Sequence, residues 1–248
     1  MWRFLPLSGV VLLLAIALCL RPLLQLRRHG SFGIFLFRSG NAAQNVRDGL
    51  LIVFFAVLLG QAIVATQPRS LDLLVAEHGS LHQALQFAGA ALMLCGIALL
   101  AIAQLHLGAS WRIGIEEGAK PGLVTDGLYR YSRNPIYLGL LTTVAGYAAL
   151  LPTVVSAALL IGTYVGMRAQ IAGEEAYLVA TYGDAFRDWA RRVGRLLPGV
   201  GKLCARFCLM PSDPARARFS QERSSALRSG RTPGRGVKSC HDLVDHRP

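Results

Sequence analysis

The chain has 248 residues, of which 53% are hydrophobic and only 16% charged, whereas about a quarter of the residues are charged in an ordinary soluble domain. This composition argues against a soluble enzyme and against a disordered chain, and the length excludes a disulfide-stapled miniprotein. The net charge of +12 fits the cytoplasmic loops of a membrane protein and contact with anionic lipid better than nucleic acid, because no aromatic residues are interleaved with the basic tail.

Apolar stretches predict five membrane-spanning helices, at about residues 4–20, 50–65, 84–105 and 136–166, the last divided in two at Leu151-Pro152. A helix needs about 20 residues to cross a bilayer, so the short fourth and fifth segments indicate a tight helical hairpin with Pro152 at the start of its second helix. The first stretch lacks a clear cleavage site and is followed by arginines, which favours an uncleaved span. We therefore expect an all-α integral membrane bundle of about five transmembrane helices.

Loop charges predict the orientation of these spans. Segments 21–48 and 106–134, and everything after Arg168, carry an excess of basic residues, whereas segment 66–83 and the hairpin tip do not. Positive loops stay on the cytoplasmic side, so we expect the N-terminus outside and the C-terminus inside, in the inner membrane of a bacterium.

Small residues within the spans predict close helix packing. They are Gly89 and Gly96 in the third span, Gly139 and Gly146 in the fourth, and Gly162 and Gly166 in the fifth.

The order of these segments predicts three regions. Residues 1–105 hold three N-terminal transmembrane helices, residues 106–198 hold the loop, the hairpin and a cytoplasmic amphipathic helix, and residues 199–248 form a basic, disordered tail. The histidines at 78 and 82 lack a third ligand nearby, and the tail cysteines have no common zinc spacing, so we expect no metal site.

The chain enters the fourth span through an unusually polar boundary, which runs from Gly127 to Gly139 and contains Tyr129, Arg133 and Tyr137. One interpretation is a belt of tyrosine and arginine that anchors the span at headgroup depth. The other is a ligand site, since glycine allows a backbone to approach a ligand or a neighbouring helix.

A second polar group follows the fifth span at Glu174-Glu175. The amphipathic stretch after it has its apolar stripe at 178, 182, 186, 189 and 193, and Glu175 falls on that stripe. An ionisable group on a buried face needs a partner. Glu175 is therefore either a functional residue or a structural partner of Arg133 or Arg168.

These features resemble the isoprenylcysteine carboxyl methyltransferase family and its relatives, the phospholipid N-methyltransferases, over residues of about 107–198. The matching motifs, in chain order, are Leu107-Gly108-x-Ser110-Trp111-Arg112, Leu123-Val124-x-x-Gly127-x-Tyr129, Arg133-Asn134-Pro135-x-Tyr137-x-Gly139, Glu174-Glu175, Tyr182-Gly183-x-x-Phe186 and Arg192-Val193-x-Arg195-x-x-Pro198. Asn134 stands where many members carry histidine, so an imidazole role there is not available, although asparagine can still form hydrogen bonds.

The resemblance implies methyl transfer from S-adenosyl-L-methionine to a lipophilic acceptor at the membrane. It implies catalytic roles for Arg133 and Glu175, and it implies cofactor binding by the residues of the loop, the hairpin and the glutamate pair, which are Gly127, Tyr129, Arg133, Asn134, Pro135, Tyr137, Gly139, Glu174 and Glu175. We expect a carboxyl or thiol-derived acceptor first and a lipid amine second, with membrane lipids as further partners. An NADPH-dependent sterol-type reductase and a non-catalytic membrane protein are the alternatives.

Overall fold

The computed structural model describes residues 2–30, 32–34, 36–37, 42–67, 80–111 and 122–203. The chain divides into two units, Met1–Leu203 and Cys204–Pro248, and all of the described residues lie in the first. The predicted basic tail beyond residue 203, His78 and the side chain of His82 lie outside the described residues.

Helices build the described unit, in which no β-strand occurs. In chain order they are α1 (Leu5–Leu14), α2 (Arg21–His29), α3 (Ala42–Val64), α4 (Ser80–Leu107), α5 (Pro135–Leu150), α6 (Val154–Tyr182) and α7 (Asp184–Arg192). A π-helical segment, Ala15–Leu20, joins α1 to α2, and short 3-10 turns lie at Gly108–Ser110 and Gly127–Arg130. The predicted fold class, a helical membrane bundle, is confirmed.

Four helical segments of the described residues are long and apolar enough to cross a membrane. They are Leu5–Arg28, Ala42–Val64, Gln83–Ser110 and Val154–Tyr182, whereas α5 has only 16 residues. At 1.5 Å per residue, α5 spans about 24 Å, which is less than the roughly 30 Å hydrocarbon core of a bilayer. The sequence predicted five spans, and the one that is too short is the fourth, which forms the first arm of the hairpin.

Two predicted boundaries were wrong, because polar residues extend the helices. The sequence predicted a loop from Arg21 onward, yet α2 continues to His29, and α3 begins at Ala42 rather than near residue 50. Buried polar groups here find partners on neighbouring segments: Arg21 donates to Gln104 O at 3.1 Å. Helices can therefore continue past the apolar run that marks them in the sequence.

The hairpin and the helix after it also differ from the prediction. Pro152 lies in the turn rather than in the second helix, and Thr153 caps α6 by accepting a hydrogen bond from Ser156 N. Helix α6 then continues unbroken to Tyr182. The sequence instead predicted that the fifth span would end earlier and that a separate amphipathic helix would already have begun before Tyr182. Gly183, with φ of +55°, ends α6 and starts α7.

The seven-residue glycine spacing in α4 and α5 produces a close helix–helix contact, as predicted. A Cβ placed at Gly139 would lie 2.6 Å from Leu100 N, and one at Gly89 would lie 2.9 Å from Gly146 O. Only glycine allows the two backbones to approach this closely. By contrast, Gly162 and Gly166 have no neighbouring atom within 4 Å, so their predicted packing role is not seen.

An apolar core joins α1, α3, α4 and the hairpin, with Leu13, Leu58 and Tyr147 fully or almost fully buried. A second apolar cluster lies beside α7 and includes Tyr129, Phe186 and Trp189. It contains the predicted stripe, which is therefore buried although a glycine turn interrupts its helix.

The close contact between α4 and α5 predicts an asymmetric response to added methyl groups. In Gly146→Ala, the new Cβ would collide with the Met93 backbone and lie 2.6 Å from Gly89 O, so we expect a loss of about 1–3 kcal/mol of stability. Gly162→Ala is the matched control, because it lies in open space and gains helix propensity of about 1 kcal/mol. Thermal melting of both variants in detergent measures the difference, and equal melting temperatures would contradict the observed contact.

Candidate active site

Arg133 is the centre of the predicted site, and all five of its N–H groups are used. Its Nε and Nη2 donate to Glu175 Oε1 at 3.1 and 2.8 Å. Its Nη1 donates to Ala190 O and Val193 O at 2.7 and 2.8 Å, and Nη2 also donates to Gly201 O at 3.1 Å. The side chain thus ties the segment before α5 to α6, to the end of α7 and to the chain beyond it.

Glu175 is held by two arginines. Besides its bonds from Arg133, it accepts from Arg195 Nη2 through Oε2 at 2.5 Å. Its side chain is only 12% exposed, as its position on the apolar stripe predicted. Arg168, the other predicted partner, instead donates to Tyr164. The structural role left open for Glu175 is thus supported by its pairing with Arg133.

The neighbouring Glu174 points to a different helix and a different environment. Its Oε1 accepts from the Tyr137 hydroxyl at 2.5 Å and from Gln170 Nε2 at 3.1 Å. These two donors lie on α5 and on α6 itself, one turn before Glu174. Arg47 of α3 lies at the same level, 3.9 Å from where a Cβ of Gly173 would be.

Tyr129 lies nearby, in the 3-10 turn before α5, and is buried. Burial raises the pKa of its hydroxyl, the charge of Glu174 raises it further, and the charge of Arg21 lowers it by less. The phenol therefore stays protonated and can act as a hydrogen-bond donor at neutral pH.

The predicted site glycines make their close approaches to α4. Gly127 has φ of +59°, and a Cβ there would lie 2.7 Å from His106 Nδ1, which also accepts from Leu128 N at 3.2 Å. Gly139 packs on the α4 backbone near Leu100. Of the two explanations open for these glycines, the structure supports approach to a neighbouring helix, and binding of a ligand by them remains a prediction.

Asn134 and Pro135 shape the start of α5. Pro135 is the first residue of the helix, where a missing N–H costs nothing. Asn134 Nδ2 donates to Arg195 O at 2.9 Å. Asn134 thus joins the loop before α5 to the segment that carries Arg195, the second arginine paired with Glu175.

The structure brings the predicted residues together in two pairs, Arg133 with Glu175 and Tyr137 with Glu174. Sequence reasoning missed Gln170 and the ionic role of Arg195. Gln170 could have been found, since it lies four residues before Glu174 on one helix face. Arg195 follows a turn after α7, and no helical spacing relates it to Glu175.

Comparison with known sequences agrees with this arrangement. The profile of the family described as Phospholipid methyltransferase matches residues 84–185. This part of the chain is therefore similar to a methyltransferase family that is among those the motifs resemble. The match covers α4 from residue 84 onward, the hairpin and Glu174-Glu175. It ends before Arg195, the second arginine that pairs with Glu175.

Two curated relatives match parts of the same region. Protein-S-isoprenylcysteine O-methyltransferase of Schizosaccharomyces pombe is 37% identical over 79 residues, 31% of this chain and 33% of that protein. Methanethiol S-methyltransferase 1 of Bradyrhizobium diazoefficiens is 35% identical over 96 residues, 38% of this chain and 32% of that protein. The chain thus matches about a third of the length of each curated relative.

A solved structure is also similar, that of the eukaryotic intramembrane Ras methyltransferase ICMT (isoprenylcysteine carboxyl methyltransferase). It is 20% identical, the match covers 79% of this chain and 75% of that one, and the TM-score is 0.44.

Because Glu175 is buried between two arginines, we predict that it contributes more to stability than an acidic residue in an exposed ion pair does. Glu175→Gln leaves two arginines without their carboxylate, and breaking a buried pair costs about 3–5 kcal/mol. We expect a marked loss of melting temperature before any ligand is added. Asp184→Asn is the control, since Asp184 forms an exposed pair with Arg187 at 2.8 Å and such pairs contribute about 0–1 kcal/mol. A Glu175 variant that melts like the control would contradict the structural role.

Proposed function

We propose that the protein is an S-adenosylmethionine-dependent methyltransferase that acts at the membrane on a lipophilic acceptor, most like an isoprenylcysteine carboxyl O-methyltransferase. The observation that supports this most is the division of the glutamate pair. Glu175 is held by Arg133 and Arg195, whereas Glu174 lies on another face of α6 and accepts hydrogen bonds from Tyr137 and Gln170. The pair lies within the region that matches the methyltransferase family.

The side chains available fit the chemistry of the cofactor. The Glu174 carboxylate can accept hydrogen bonds from ribose hydroxyls or an ammonium group, and Tyr129 and Tyr137 can line an adenine or a sulfonium. When bound, S-adenosylmethionine would supply an electrophilic methyl group, whose bond to sulfur breaks with the electron pair left on sulfur as the acceptor's lone pair bonds to carbon. The protein's task is then to bind, align and exclude water, which Arg133 supports by fixing the loop before α5.

A second candidate acceptor is a thiol, favoured by the similarity to methanethiol S-methyltransferase 1. A lipid amine is the third, favoured by the name of the matching family. The glutamate pair and the short hairpin support methyl transfer over the sterol-type reductase. Labelled cofactor added to membranes that contain the protein would identify the methylated product.

The orientation proposed from loop charges puts the site on the cytoplasmic side. In a cysteine-free background, Ser70→Cys should react with a membrane-impermeant reagent from outside. Ala119→Cys should react only after the membrane is opened. The reverse pattern would contradict both the orientation and a cytoplasmic cofactor site.

The proposed role of Glu174 is tested by removing its charge. Glu174→Gln should weaken binding of S-adenosylhomocysteine by about 10- to 150-fold, since a hydrogen bond to a charged group contributes about 1.5–3 kcal/mol. Asp188→Asn is the control, because Asp188 lies on α7 in an exposed pair with Arg191. Calorimetric titration measures affinity, and melting without ligand shows whether each variant is folded. Unchanged affinity in a folded Glu174 variant would remove this residue from the site.

A further inference from the structure

Arg21 is a buried arginine that lies outside the family motifs. It is 4% exposed and sits at the start of α2, inside the first apolar helical segment. An arginine in such a place is costly unless it has partners or a function. No carboxylate within the described residues forms an ion pair with it.

The partners that Arg21 does have leave part of its guanidinium available. Nε donates to Gln104 O at 3.1 Å, and Nη2 donates to Gly108 O at 2.6 Å. The Trp111 ring covers one face, with its centroid 4.9 Å from Cζ. Within the described residues Nη1 makes no hydrogen bond, so its two N–H groups, the second N–H of Nη2 and the positive charge remain for an anion.

Two amide oxygens near Arg21 are buried without a donor. Among the described residues, Gln25 Oε1 and Gln104 Oε1 have no hydrogen-bond partner, and the two residues are only 2% and 5% exposed. Gln25 follows Arg21 by one turn of α2 and donates through Nε2 to Ala109 O at 3.2 Å. Buried acceptors left unpaired are expensive, and a ligand with its own N–H groups would satisfy them.

The Arg21 cluster adjoins the proposed site through the end of α4. Arg21 donates to the carbonyl oxygens of Gln104 and Gly108. Between these two residues, His106 accepts from Leu128 N at 3.2 Å through Nδ1, and Leu128 directly precedes Tyr129. The cluster and the turn that carries Tyr129 are therefore both held at this end of α4.

We propose that Arg21, Gln25 and Gln104 form a subsite for a ligand group that joins a carboxylate to a neighbouring N–H donor. The guanidinium binds the carboxylate, and the two glutamine oxygens accept hydrogen bonds from the N–H groups. Each polar atom of the cluster that lacks a partner then has one. This inference rests on the proposed methyltransferase function. Two ligands contain such a group. One is the cofactor, through its aminocarboxylate end, and the other is an acceptor that ends in an amide-linked amino acid.

Paired ligands that differ in this one group distinguish the sources. S-adenosylhomocysteine carries the aminocarboxylate and 5′-methylthioadenosine does not. N-acetyl-S-farnesylcysteine carries a free carboxylate, and its methyl ester does not. Binding of all four to the full-length protein in detergent is measured by calorimetric titration for the wild type, for Arg21→Met and for Arg28→Met. Arg28 is an exposed arginine of the same helix and serves as the control.

If the group belongs to the cofactor, Arg21→Met should weaken S-adenosylhomocysteine binding by about 10- to 150-fold and leave methylthioadenosine within about twofold. If it belongs to the acceptor, the same loss should appear for the acid and not for the ester, with both nucleosides unaffected. The control should match the wild type throughout. An Arg21→Met protein that keeps the wild-type affinity ratio within both pairs would overturn the subsite and leave Arg21 as a link between α2 and α4.

A second variant covers the case in which Arg21→Met does not fold. Gln104→Met removes an oxygen that has no partner, so the melting temperature without ligand should not fall. The affinity for the ligand that carries the carboxylate and N–H group should still fall several-fold. Unchanged affinity for both ligand pairs in this folded variant would contradict the subsite. A wild type that binds neither nucleoside would instead refute the proposed function, while the acid and ester pair still decides the subsite.

Discussion

The buried ion pair between Arg133 and Glu175 organises the end of the bundle where the candidate site lies. A buried pair seldom adds net stability over well-packed apolar residues, because both charges must leave water. Its value here is that it specifies one arrangement. Arg133 donates five hydrogen bonds to four acceptor atoms in a fixed geometry, so α6, the end of α7 and the segment near Gly201 can meet only one way. Every other feature of the site is placed relative to that junction.

Because Glu174 and Glu175 are consecutive residues of one helix, their side chains point in different directions. Successive residues of an α-helix point about 100° apart, so Glu175 faces Arg133 and Arg195 while Glu174 faces Tyr137 on α5. The same functional group therefore occurs once between two arginines and once against the Tyr137 hydroxyl. Arg133 and Arg195 occupy both oxygens of Glu175, so this carboxylate is bound within the protein. The catalytic role assigned to Arg133 and Glu175 by resemblance is, on this geometry, more easily understood as positioning.

Sequence periodicity predicted most of what depends on apolar burial, and it failed where polar groups find distant partners. The hairpin, the glycine contact between α4 and α5 and the buried face of Glu175 all follow from local spacing. The continuation of the first helix through Arg21 does not, since it depends on Gln104 and Gly108, more than 80 residues away. The same holds for Arg195, which reaches Glu175 across a turn. The stripe from Leu178 to Val193 was identified correctly, but Gly183 divides it between two helices that pack into one cluster.

The glycines of the motif explain how two tyrosines are held without covalent or ionic links. Gly127 comes two residues before Tyr129 and packs on His106, and Gly139 comes two residues after Tyr137 and packs on the backbone at Leu100. Each tyrosine is thus anchored within one turn of a glycine that contacts α4, through the His106 ring for Gly127 and through the helix backbone for Gly139. Since α4 carries both contacts, and Arg21 of α2 donates to its carbonyl at Gln104, the helix acts as a common reference for groups from three segments. A ligand bound among Glu174, Tyr129 and Arg21 would therefore meet a surface whose spacing is set by helix packing rather than by the ligand, which is the preorganisation that alignment of a methyl donor and acceptor requires.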